Sequence, residues 1–164
     1  MIVVDTNLMA ALLLNTPQSA VAAAVYARDR EWAAPLLWRS ELRHVLVKAT
    51  RRSEITTEAA SAICDRARQL LGVRQHDVAD GAVLRRAVDS GCTAYDCEFV
   101  ALADRLGVPL VTFDREVLAA FPTVAIHPER FASGGFWGDR VSERMTELYG
   151  KGTSRRRRRR RAAA

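Results

Sequence analysis

The chain has 164 residues, 49% of them hydrophobic, which fits one domain with a real core and excludes a disordered polymer. Its formal net charge is +6, yet Lys151 and the arginine run 155–161 supply 8 of the 25 basic residues, leaving 17 to face 19 acids. The basic character therefore belongs to the tail, and residues 1–150 carry a slight acidic excess.

Three cysteines, Cys64, Cys92 and Cys97, form no Cys-x-x-Cys pair, which argues against a disulfide framework or a zinc ribbon. The apolar run 8–14 is too short to span a bilayer, and Asp5 rather than Lys or Arg precedes it. A cytoplasmic protein with no membrane association is expected.

In chain order, the β-branched run 2–4 predicts a buried strand, and 7–14 a helix stopped by Pro17. The alanine-rich stretch 19–30 predicts a second helix and 32–35 a brief extended piece. Residues 37–50 form a helical pattern with Trp38, Leu42, Val45, Leu46 and Ala49 on one side. The next helix spans 57–71 and stops at Gly72, with a short strand expected at 73–75. Helices follow over 78–90 and 93–106, ending at Gly91 and Gly107. A second clear strand is expected at 108–112, a short helix at 115–120 and a last strand at 124–127.

This alternation predicts an α/β fold with a mainly parallel sheet between helices. The three-residue run Ser133-Gly134-Gly135 marks a linker. Three segments are expected: a domain over 1–131, a linker with a short helix over 132–150, and a disordered Arg-rich tail over 151–164.

Four acids mark candidate chemistry: Asp5, Glu41, Asp96 and Asp114. Each has a structural explanation. Asp5 and Asp114 suit helix N-caps, Thr93-x-x-Asp96 fits a capping box, and Glu41 stands near a helix start. Two features point further. Asp5 and Asp114 follow predicted strands, and ligands of parallel sheets collect beyond the carboxyl ends of strands. Glu41 and Asp96 lie along apolar helix faces, where an unpaired carboxylate is costly.

Brought together, four carboxylates repel one another unless a cation joins them. All-oxygen ligation suits Mg²⁺ or Mn²⁺ rather than zinc. Asn7 and Thr112, each two residues from an acid, are candidates to orient the ligands or to satisfy turns. An aspartyl-phosphate phosphatase needs a second Asp where Asn7 stands, and a phosphoreceiver domain needs an acidic pair where only Asp5 is present.

The Val-Asp-Thr-Asn start, Ser40-Glu41-Leu42, Tyr95-Asp96 and Val111-Thr112-Phe113-Asp114 together resemble the PIN-domain ribonucleases, and most of all the VapC-type toxins of toxin–antitoxin pairs. The resemblance covers residues 1–131. It implies a three-layer α/β fold and a Mg²⁺- or Mn²⁺-dependent endoribonuclease. Asp5, Glu41, Asp96 and Asp114 match the family's metal-binding acids, and Asn7 and Thr112 its usual polar neighbours. RNA as substrate, a cognate antitoxin and homodimer formation are implied as well. The alternative is a catalytically silent RNA- or partner-binding module.

The arginine run has no counterpart in the family pattern. It is either an RNA-backbone contact or a solvated tail. Arg39, Arg43, Lys48, Arg51 and Arg52 are further basic candidates near Glu41, and His44 and His76 carry no recognisable pattern.

Overall fold

The computed structural model describes residues 1–134. The expected helix over 139–149 and the Arg-rich tail lie outside the described residues. The sheet has five strands in the order β3-β2-β1-β4-β5, and every pairing is parallel. The strands are β1 (Ile2–Val4), β2 (Trp32–Pro35), β3 (Gln75–His76), β4 (Leu110–Val111) and β5 (Ala125–Ile126).

β1 is central and wholly buried, which explains its uninterrupted apolar sequence. It pairs Val3 with Ala33 on one side and with Leu110 on the other. From β1 the chain winds outward through β2 and β3, then returns to place β4 and β5 on the opposite side. The reversal lies between β1 and β4, where open parallel sheets form their ligand crevice.

Helices flank the sheet. They are α1 (Thr6–Leu13), α2 (Ser19–Arg28), α3 (Trp38–Arg51), α4 (Thr57–Leu71), α5 (Asp80–Ser90), α6 (Ala94–Leu106), α7 (Arg115–Ala120) and α8 (Pro128–Ala132). α6 packs on β1, β2 and β4 with α5 beside it, while α1 packs with α2, α3 and α4.

The core is aliphatic and includes Leu8, Leu42, Leu102 and Val111, all fully buried. Each such side chain contributes roughly 1.5–3 kcal/mol relative to exposure. The buried indoles of Trp32 and Trp38 are satisfied by Asp29 O at 2.8 Å and Gln75 Oε1 at 3.2 Å. α6 ends at Gly107, whose φ of +66° turns the chain toward β4 at low cost.

The elements expected within residues 1–134 occur, with differences at their edges. The sheet is entirely parallel rather than mainly so. The third strand is Gln75–His76 rather than 73–75, because Arg74 N closes a turn on Leu71 O and leaves Val73 92% exposed. The final strand stops at Ile126, and His127 instead caps α8, a helix the sequence reading did not anticipate. No helix among the described residues is long and apolar enough to cross a membrane.

Candidate active site

At the carboxyl edge of the sheet a cleft of about 640 Å³ is lined by Asp5, Glu41, Asp96 and Asp114 together. Asn7 and Thr112 line it as well. The four acids arrive from four elements: the end of β1, the first turn of α3, the first turn of α6 and the turn after β4. Asp5 and Asp114, far apart along the chain, meet because β1 and β4 are neighbours in the sheet, and α3 packs on α1 and α6 on β1.

The capping functions are real and coexist with this convergence. Asp5 Oδ1 accepts from Leu8 N at 2.7 Å, capping α1. Asp114 Oδ1 accepts from Glu116 N at 2.8 Å and Val117 N at 2.9 Å, capping α7. Asp96 Oδ2 accepts from Thr93 N at 3.2 Å and Thr93 Oγ1 at 2.6 Å, completing the capping box of α6. These bonds fix one oxygen of each carboxylate and so fix the direction of the other.

Two threonines hold two of the acids, Asp5 and Glu41. Thr112 Oγ1 donates to Asp5 Oδ2 at 2.5 Å and accepts from Asp114 N at 2.9 Å, tying the two strand-end acids together. Thr6 Oγ1 donates to Glu41 Oε2 at 2.5 Å, tying α3 to the end of β1. Thr6 was not singled out from the sequence. The available signal was its hydroxyl between Asp5 and Asn7.

The electrostatics are those of a crowded anionic site. Burial raises the Asp5 carboxyl to about 6, and the charges of Glu41 and Asp114 add to the rise against the hydrogen bonds from Thr112 and Leu8. Glu41 is raised by its own burial and by Asp96, against Thr6. Glu98 is raised by burial and then by Glu41, Asp77 and Asp80, so the acidity extends beyond the four. None of the four acids forms an ion pair among the described residues.

Of the five basic candidates, only Lys48 lines this cleft, with His44 one turn before it on the face of α3 that carries Glu41. Arg39 instead donates to Gln75 Oε1 at 2.9 Å, and Arg52 pairs with Glu54 at 2.6 Å.

The donor set is chemically suited to a hard divalent cation: four carboxylates in one cleft, with no thiolate and a single imidazole. Among the described residues, however, no three Asp, Glu, His or Cys side chains already stand as a complete metal cage. Mutual repulsion and the capping bonds account for this spread, and Mg²⁺ needs few protein ligands because it retains several waters.

Comparison with known proteins gives the family. A family model described as the PIN domain matches residues 2–123. The chain belongs to the PIN domain family. A PIN relative, Ribonuclease VapC3 of Pyrobaculum aerophilum, is 29% identical over 128 residues, covering 75% of this chain and 96% of the relative. Among solved structures, PAE2754 from Pyrobaculum aerophilum aligns with a TM-score of 0.65 at 27% identity, over 80% of this chain and 93% of that one. FitAcB from Neisseria gonorrhoeae aligns with a TM-score of 0.60 over 78% of this chain and 98% of that one, and at 17% identity it speaks for the fold alone.

Proposed function

We propose that this protein is a Mg²⁺- or Mn²⁺-dependent endoribonuclease and the toxin of a type II toxin–antitoxin pair. The observation that carries the reading is the single cleft lined by Asp5, Glu41, Asp96 and Asp114, with no ion pair to any of them among the described residues. The similarity to a protein named Ribonuclease VapC3 supports RNA as the substrate and an antitoxin as the partner. Homodimer formation, a cytoplasmic location and a nuclease unit spanning 1–131 belong to the same reading.

In this reading the four acids hold the metal. Bound there, the metal supplies Lewis-acid activation and charge stabilisation at the phosphodiester. The chain's own contribution is placement. Thr112 holds Asp5 and the Asp114 backbone in one register, Thr6 holds Glu41, and Asn7 offers an amide at the cleft wall. The helix caps keep the carboxylates from rotating freely, which lowers the entropy lost on binding.

The test is cleavage of RNA by the full chain with Mg²⁺ or Mn²⁺. Cleavage is expected to vanish in EDTA and to fall by at least about 100-fold in Asp96→Asn, the scale of losing one electrostatic contribution at the reacting centre. Undiminished cleavage by both Asp5→Asn and Asp96→Asn removes the assignment of these acids. A silent binding module is the second reading, favoured by the engagement of Asp96 Oδ2 with Thr93 and by the lack of a ready-made cage among the described residues. Its signature is tight RNA binding without turnover in saturating Mn²⁺.

A further inference from the structure

A second cleft, of about 710 Å³, opens beside the acidic one, and Asn7, Val45 and Asp114 line both. The two are therefore adjacent, but their chemistry differs. The second has an apolar floor that includes Ala10, Leu14 and Ile55. Phe113 adds an aromatic ring, set edge-on to His127 with centroids 5.6 Å apart. Asn15 and Gln18, both exposed, bring side-chain amides to its lining. Arg115 also lines it, is exposed and forms no ion pair among the described residues.

This combination matches one unpaired nucleotide. A nucleobase has flat apolar faces and a polar rim; aromatic and aliphatic side chains cover the faces, and amides offer both a donor and an acceptor to the rim. A guanidinium is suited to a phosphate. A strand whose scissile phosphate enters a repulsive acidic cleft also needs anchorage outside it. Bases within an A-form duplex are stacked and paired, and do not enter such a space.

Resting on the ribonuclease reading above, we propose that the second cleft is a nucleotide subsite: it takes the base of a single-stranded RNA residue next to the cut, with Arg115 on a flanking phosphate. Asn15 and Gln18 are then specificity residues, separate from the acids that carry the reaction.

The test is cleavage, by the full chain in Mg²⁺ or Mn²⁺, of RNA carrying a randomised single-stranded segment, with the cut ends sequenced. Wild type is expected to prefer particular bases at a position beside the cut. The double variant Asn15→Ala, Gln18→Ala flattens that preference, and Arg115→Ala raises KM about tenfold with kcat nearly unchanged, the scale of one charged hydrogen bond. An unaltered preference and KM in these variants of a protein that cuts RNA overturn the subsite and leave the ribonuclease reading standing. Crosslinking with single-stranded RNA carrying 4-thiouridine separates the two further. Crosslinks to peptides bearing Asn15, Gln18 or Phe113, in a protein that cuts nothing, support the subsite while the hydrolytic reading fails. Neither crosslinks nor cleavage overturns both. Loss of antitoxin binding in the same variants, with RNA preference intact, overturns the subsite and gives the cleft to the protein partner.

Discussion

Asp5 binds its proton more tightly in the folded protein than an ordinary carboxyl does, because burial and two neighbouring acids disfavour its charge. With a folded value of about 6 against an ordinary value of 3.8, the folded state holds a proton across an interval in which the unfolded chain has released it. Stability of the metal-free protein therefore falls as pH rises through that interval, by up to about 3 kcal/mol if the whole shift is expressed. Asp5→Asn removes this penalty while its amide oxygen still accepts from Leu8 N. In EDTA the variant is expected to melt above wild type at neutral pH and to show a flatter dependence between roughly pH 4 and 6. Thermal melts across that range check it, and a variant melting below wild type at neutral pH would count against burial as the dominant cause. At this scale the sequence was informative about the acids because each stood at a strand end or on an apolar helix face. It offered Lys48 only as one of five basic candidates and did not single out Thr6, since which residues face the end of β1 is a tertiary fact.

At the scale of elements, α6 joins the core to the cleft. Phe99, Val100 and Ala103 are buried, while Asp96 faces the cleft from the first turn. Thr93→Ala removes the hydroxyl half of the capping box and is expected to cost about 1 kcal/mol. Denaturant unfolding measures that loss, and faster amide exchange confined to the first turn of α6 separates a local cap from a core defect. Helices 57–71 and 115–120 were legible to the residue because Thr56, Gly72 and Asp114 are strong end signals. α8 was missed although Pro128 stands at its first position and Glu129 in its first turn. The strand expected to reach His127 stops one residue earlier, where the His127 side chain accepts from Glu129 N. The β3 edge was misplaced for a different reason: Val73 has high strand propensity but lies in a turn, and tertiary context outweighs propensity.

Over the whole domain, the acidic cleft belongs to no single segment, so a cation bound there links parts far apart in sequence. Mn²⁺ or Mg²⁺ is expected to raise the melting temperature of the full chain, with a stabilisation of about 2.7 kcal/mol at a hundredfold excess over Kd. Asp114→Asn is expected to blunt that response, and thermal shift against metal concentration reads it; equal shifts in wild type and variant would place the ion elsewhere. The alternation of strands and helices made the α/β class legible from the start. The neighbour relation of β1 and β4 was not, because nothing local in either strand encodes its partner.

That relation has a bearing on how the protein is made. The bond between Thr112 and Asp5 joins residues 107 positions apart, and β1 occupies the middle of the sheet. During synthesis the first acid leaves the ribosome early and waits for the last, because β4, its flanking strand on one side, is translated long after β1. A chain arrested before β4 carries Asp5 and Glu41 but lacks the hydroxyl and the acid that complete their surroundings. Slow, long-range pairing of this kind delays assembly until nearly the whole domain has emerged. A nascent chain stopped short of β4 thus has no finished cleft, and whatever chemistry the cleft performs begins only with the completed domain.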